Sequence, residues 1–264
     1  MTQKTPLHDA HVALNAKMGA FAGYDMPLYY ADGVMAEHEW VRTKAGLFDV
    51  SHMGQVVLKG SGVQAFIEKI TPSSYGQIPE GRAKYTVLTN AKGGIIDDLI
   101  VTRRGADCFF AVINAGCKDK DIAWIEENIP AGVTLERLSD RALLALQGPQ
   151  AEQVLRDVLH VDTEGMPYMW MIDARLSDGT PYFISRVGYT GEDGFELSVP
   201  ADIADGVWNR LMQHGAVKPI GLAARDSLRL EMGYCLYGHD IDDETSPVEA
   251  GLGWVIGKTN TSFI

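Results

Sequence analysis

The sequence predicts an α+β protein with more than one domain, and three observations carry that expectation. Helix-like and strand-like stretches alternate along the chain without the strict strand–helix–strand rhythm of a parallel sheet. At 264 residues the chain is long enough for one large or two ordinary domains, each with its own core. Its composition, 46% hydrophobic and 22% charged, is that of a folded globular chain and excludes disorder as the main state.

The elements follow in order. A helix is predicted over 34–46, with Val34, His38 and Val41 at helical spacing and Gly46 as its C-cap. Residues 47–60 read as strand-rich, with Val56 and Leu58 alternating. A short helix over 62–70 places Val63, Phe66, Ile67 and Ile70 on one face. After a loop containing Pro72, Gly76, Pro79 and Gly81, strands are expected over 84–90 and 95–104, joined by the Lys92-Gly93-Gly94 turn. Another strand covers 108–114, and Ile122 and Ile125 mark a helix over 118–128. Beyond Pro130 come a strand at 142–148 and a helix at 150–159. Strands follow near 170–177, 181–187 and 195–200. Two last helices cover 202–215, striped by Ile203, Val207 and Leu211, and 221–233. Composition alone places a domain boundary near 130–140.

Charge and cysteine content narrow the function. With 23 Lys+Arg against 35 Asp+Glu the net charge is −12, and no basic stripe is present, so nucleic-acid binding is excluded as the main activity. Cys108, Cys117 and Cys235 form no C-x-x-C pair and cannot all pair in disulfides, which predicts buried thiols in a cytoplasmic setting. No signal-peptide h-region or membrane-length apolar run is seen.

Several motifs match only by letter. Residues 251-GLGWVIG fit G-x-G-x-x-G, but no strand–turn–helix context surrounds them, so an ordinary strand is expected. Asp240, Asp242 and Glu244 lack the Gly and Glu that a calcium loop needs, so a solvated acidic loop is expected. His8 and His11 read as polar N-terminal residues, and no metal-ligand set is assigned. Neither G-x-S-x-G nor H-E-x-x-H occurs.

Four segments are polar beyond structural need. In 47-LFDVSHMG, the residues Asp49, Ser51 and His52 interrupt an apolar strand. In 93-GGIIDDLIV, strand alternation sends Asp97 and Asp98 to opposite faces, so one carboxylate points inward at a cost that must be offset. Residues 186-RVGYTGEDGFEL combine Gly188, Gly191 and Gly194 with Tyr189 and Glu196, and read structurally as a tight acidic hairpin. Arg225 and Arg229 stand i, i+4 on a helix that leads to Tyr234 and Tyr237. Carboxylates that accept from an aminopyrimidine edge, tyrosines that pack on a ring and an arginine for a carboxylate suit a flat ligand with an anionic tail, a class that includes folates.

These residues resemble the glycine cleavage system T-protein family of tetrahydrofolate-dependent aminomethyltransferases. The likeness runs in order from 5-TPLHDAHVALNAKMGAFAGYDMPLYY through 47-LFDVSHMG, 85-YTVLTN, 93-GGIIDDLIV, 143-LLALQGPQA, 188-GYTGEDGFEL and 221-GLAARDSLRLE to 247-PVEAGLGWV. The resemblance implies transfer of a methylene from the aminomethyl-dihydrolipoyl arm of H protein to tetrahydrofolate, with release of ammonia. It implies Asp98 as the catalytic carboxylate and Tyr85, Asn114, Tyr168, Tyr189, Glu196 and Arg225, with Asp98 itself, as folate-contacting residues. No metal is implied. The implied fold is two of the three domains of a folate-binding cloverleaf. Residues 1–50 with 138–264 form a discontinuous first domain, 51–137 an inserted second one, and a C-terminal β-rich domain of the family is absent. Two alternatives remain: a related folate-dependent demethylase or one-carbon transferase, and a non-catalytic folate-binding accessory protein. The accessory proteins carry a Lys-Gly-Cys-Tyr context, which 233-GYCLYGHDID lacks.

Overall fold

A computed structural model describes residues 2–264. The chain divides into two compact units, Met1–His52 with Asp140–Tyr234, and Met53–Ser139 with Cys235–Ile264.

The first unit begins with α1 (His8–Ala13), a hairpin of β1 (Lys17–Phe21) and β2 (Tyr24–Tyr29), α2 (Val34–Thr43) and β3 (Ala45–Asp49). The second unit follows with β4 (Gly54–Lys59), α3 (Val63–Ile70), β5 (Ala83–Thr89), β6 (Ile95–Gly105), β7 (Cys108–Ile113), α4 (Lys118–Asn128) and β8 (Thr134–Arg137). The chain then returns to the first unit for β9 (Arg141–Gln147), α5 (Ala151–Leu159), β10 (Trp170–Arg175), β11 (Pro181–Arg186), β12 (Gly194–Pro200), α6 (Ala204–Met212), β13 (Val217–Pro219) and α7 (Leu222–Glu231).

In the first unit six strands form one sheet in the order β10-β11-β12-β9-β3-β13, antiparallel except for the β13–β3 pair. Its core explains the sequence pattern. Leu144 and Leu146 of β9 and Phe195, Leu197 and Val199 of β12 alternate onto one face, where Val154 and Leu155 of α5 and Val207, Trp208 and Leu211 of α6 cover them. Glu196 therefore projects from the other face. On α2, the buried Glu37 accepts from the backbone N–H of Gly221 at 2.7 Å and of Tyr30 at 2.6 Å. This carboxylate fixes the first turn of α7, and Arg225 lies one turn further on. A Cβ at Gly221 would overlap the Leu28 carbonyl, so the close approach of α7 to β2 requires glycine there.

In the second unit five antiparallel strands run β5-β6-β7-β4-β8. Val63, Phe66, Ile67 and Ile70 of α3 and Ile122 and Ile125 of α4 pack on one face, against Leu99, Val101, Phe109 and Ala111. A separate cluster joins Val87 and Ile95 to Ile241, Leu252 and Val255. That burial corrects the expected assignment of 235–264 to the first domain, because these residues bury their apolar side chains on β5 and β6.

Other expectations differ locally. The helix expected over 34–46 stops at Thr43, and Gly46 lies inside β3 rather than at a C-cap. A Cβ on Gly46 would press on Val41 and Ile220, so its missing side chain serves close packing. Residues 251-GLGWVIG form no strand; Gly253–Val255 is a single 3-10 turn. His11 is no exposed polar residue. It is fully buried, with Nε2 2.9 Å from Asp49 and Nδ1 3.0 Å from the Tyr30 hydroxyl. Asp49 also accepts from Thr5 and from the Ser51 N–H, which accounts for the polar interruption of this strand.

Candidate functional site

Each unit gathers its own group of sequence-predicted residues. In the second unit, β6 alternates as expected, with Asp97 fully buried and Asp98 only partly so. Asn114 follows the last residue of β7 and reads both carboxylates. Its Nδ2 lies 2.8 Å from Asp98 Oδ1, 3.0 Å from the Asp98 carbonyl and 3.0 Å from Asp97 Oδ1. Its backbone N–H donates to Asp97 Oδ2 at 3.1 Å. Tyr85 on β5 donates its hydroxyl to Asp98 and stacks on Trp254 with ring centroids 5.6 Å apart.

Burial is the main reason the Asp98 carboxyl is pushed up to about 7, and the charge of Asp97 adds to it. Hydrogen bonds from Tyr85 and Asn114 pull the other way and are outweighed. A carboxyl with this value is present in both protonation states near neutral pH, which suits a group that accepts and returns a proton.

In the first unit, Glu196 of β12 and Arg225 of α7 form an opposed pair. Burial pushes the Glu196 carboxyl up and the Arg225 guanidinium down, and the charge of each partly restores the other. Among the described residues Arg225 Nη1 is buried without a hydrogen-bond partner. The guanidinium sits 4.8 Å from the centroid of the Tyr189 ring, which stacks on Tyr234 at 5.9 Å. The Tyr168 residue is exposed, but partial burial of its hydroxyl, with the charge of Glu196 adding to it, pushes that hydroxyl above its ordinary value. Arg229 does not join this group. It donates to Asp226 and to the Tyr234 carbonyl, which makes it a strut at the end of α7.

The loop that carries Tyr189 is held from below by a residue the sequence reading did not single out. The buried Gln147 donates to the Val187 carbonyl at 3.0 Å and accepts from the Thr190 hydroxyl at 2.9 Å. Arg42 clamps the same loop from the side through the Thr190 carbonyl and Glu192, and binds Glu231 of α7 at 2.7 Å. Only the crowding of glycines around an apolar strand ending in Gln hinted at this arrangement. The sequence reading also passed over Asp121, which with the thiol of Cys117 lies within 4.8 Å of the Asp97 carboxylate.

Known proteins match the chain throughout. Residues 7–260 match the family described as the GCVT N-terminal domain. An aminomethyltransferase of Flavobacterium psychrophilum is 45% identical over 257 residues, 96% of this chain and 71% of that protein. The mitochondrial aminomethyltransferase of Saccharomyces cerevisiae is 43% identical over 273 residues, 99% of this chain and 68% of its own length. The crystal structure of the glycine cleavage system aminomethyltransferase T from Bartonella henselae superposes with a TM-score of 0.94 at 39% identity, over 100% of this chain and 72% of that one. A chain of the heterotetrameric sarcosine oxidase of Corynebacterium sp. U-96 shares the fold at a TM-score of 0.52 and 18% identity, over 86% of this chain and 96% of its own. The chain belongs to the GCVT family of aminomethyltransferases. No helix among the described residues is long and apolar enough to cross a membrane.

Proposed function

We propose that this aminomethyltransferase takes the methylene of an aminomethyl group carried on the dihydrolipoyl arm of H protein and transfers it to tetrahydrofolate. The products are 5,10-methylenetetrahydrofolate, ammonia and the free dithiol arm. In the transfer the carbon's bonds to sulfur and nitrogen break, and two bonds to folate nitrogens form. The two protons released from those nitrogens go to the arm's sulfur and to the departing ammonia.

The observation that carries the residue assignments is the Asp98–Asn114–Tyr85 arrangement, a carboxyl titrating near neutrality and held by two donors. Asp98 would orient the folate amine, stabilise the cationic methylene as ammonia leaves and accept a proton. Glu196 would accept from the N–H edge of the pterin. Arg225 would steady Glu196 and bind the ligand through its open Nη1, while Tyr189, Tyr168, Tyr85 and Asn114 would line the folate.

The test supplies aminomethyl-loaded H protein and tetrahydrofolate and follows methylenetetrahydrofolate. The parent protein turns over. Asp98→Asn keeps folate affinity but loses at least ~100-fold in transfer rate, the usual size of a general acid–base contribution. Unchanged turnover in that variant removes Asp98 from the chemistry, and folate binding without any transfer by the parent refutes the reaction.

A further inference from the structure

Asp121 is the buried charge-bearing group that this chemistry does not use. It lies in the first turn of α4, fully buried, and no N–H or O–H donor of another residue reaches either of its oxygens. One of its oxygens lies within 4.8 Å of a carboxylate oxygen of Asp97, the acid that acts on it most strongly. Both oxygens of Asp97 already accept from Asn114, through the backbone N–H and through Nδ2.

We infer that Asp121 is a neutral acid in the working protein, that its O–H donates to Asp97, and that through Asp97 it fixes the Asn114 amide against Asp98. Asp121 is thus a positioning residue for the transfer. The assignment of the proton follows from the donors. Two carboxyl groups in contact must share a proton, because two buried like charges repel without compensation. Asp97 holds two N–H donors and is suited to the ionised form, whereas Asp121 has none. An ionised Asp121 would gain from the N-terminal end of α4, but that gain is small beside the cost of burying a second anion.

The surrounding groups agree. From β6 the cluster is faced by Asp98, and from β5 by Tyr85 through its bond to Asp98. From the start of α4 come Cys117, whose thiol burial and the neighbouring carboxylates keep protonated, and Lys120. Lys120 is turned to the Ile96 carbonyl at 2.6 Å and to Asp243 at 3.5 Å, and Tyr237 from the C-terminal segment caps it. Burial first, then Asp97, pushes the Asp121 carboxyl up to about 10.

The influence on the reaction passes through charge as well as orientation. An ionised Asp97 raises the Asp98 carboxyl, and the Asp121 proton is what lets Asp97 stay ionised. This step rests on Asp98 being the reacting carboxyl, so the decisive measurement does not depend on turnover. Infrared difference spectra at pH 7 compare the parent with Asp121→Asn, whose amide replaces a neutral acid in size and donor capacity. Loss of a protonated-carboxyl C=O band is expected. Loss of an ionised-carboxylate band instead overturns the inference, and so does failure of this isosteric variant to fold.

The pH profile of transfer is the second measurement. Asp121→Asn should leave the acidic limb where it is and keep most of kcat. A limb displaced downward by about one unit would mean that a negative charge had been removed, and overturns the inference. Asp121→Ala deprives Asp97 of its donor and loosens the Asn114 amide against Asp98. The kcat should then fall roughly tenfold, with Asp121→Asn restoring it. A folded Asp121→Ala protein with parental kcat refutes the link to Asn114.

Discussion

Asn114→Ala isolates the control of the Asp98 proton. The substitution removes the 2.8 Å bond from Nδ2 to Asp98 while the backbone N–H to Asp97 remains. A hydrogen bond to an ionised partner contributes about 1.5–3 kcal/mol, and the part-exposed position of Asp98 argues for the lower end. At about 1.4 kcal/mol per unit, losing about 1.5 kcal/mol of preference for the ionised form raises the Asp98 carboxyl by about one unit. Its starting value of about 7 then becomes about 8. Asp97 loses one of its two N–H donors as well, but it keeps the backbone donor. At pH 7 the ionised fraction falls from about half to about a tenth, so transfer at that pH drops roughly fivefold. Near pH 9 most of it returns. The assay is kcat/KM for methylenetetrahydrofolate formation between pH 5.5 and 9.5, on the order of ten points, with the acidic limb as the readout. A limb that stays in place, or moves down, refutes the account of how Asn114 sets Asp98.

Four further outcomes are expected. Arg225→Met removes the charge that offsets burial of Glu196, so the apparent KM for tetrahydrofolate should rise at least ~10-fold with a smaller effect on kcat, read by steady-state kinetics. Asp49→Ala leaves the donors of Thr5, His11 and Ser51 buried without their acceptor; a loss of about 3–5 kcal/mol should lower Tm by roughly 10 °C by calorimetry. Burial raises the Asp49 carboxyl, but bonds from His11, Ser51 and Thr5 outweigh it and leave it below its ordinary value. Its stabilisation is therefore present above the unfolded value near 4 and is lost as pH falls below it, which acid titration of ellipticity detects. Asp121 has the opposite sign. The unfolded chain releases that proton above about 4 while the folded one keeps it, so between pH 5 and 8 the parent's Tm should fall progressively below that of Asp121→Asn.

The sequence made the regular elements legible where one face is apolar and the other polar. The α3 stripe of Val63, Phe66, Ile67 and Ile70 and the alternation of β12 are read directly, because burial imposes the period. The inward carboxylate of the Asp97-Asp98 pair was legible for the same reason. Short elements were not. β1, β2, β8 and β13 carry little apolar periodicity; β1 and β2 pair with each other, and β8 and β13 are held by distant strands that local sequence does not announce. The turn at Gly253–Val255 misled because its strand-forming residues bury through Val255 alone, with Trp254 left exposed on Tyr85. Among the site residues, Asp98 stood out as one of two charges amid apolar neighbours, whereas Glu196 and Arg225 read locally as a hairpin acid and a helical arginine pair and were singled out by the family resemblance. Asp121 did not stand out, since an acid in the first turn of a helix is ordinary until its partner strand is known.

Gln147 carries a consequence for how this sequence can change. A Cβ on Gly188 would overlap its Oε1, so one long amide forbids a side chain some forty residues downstream; a Cβ on Gly194 would meet both its Nε2 and the Leu146 carbonyl, each at 2.5 Å. The three sites are therefore not independent. Gly188→Ala alone should expel the amide and release the Tyr189 loop, while the same change after Gln147→Ser should be far better tolerated, because the obstacle has gone. Divergence along this loop has a permitted order, with the strand residue moving first and Gly188 only afterwards, while the Leu146 carbonyl keeps Gly194 a glycine throughout.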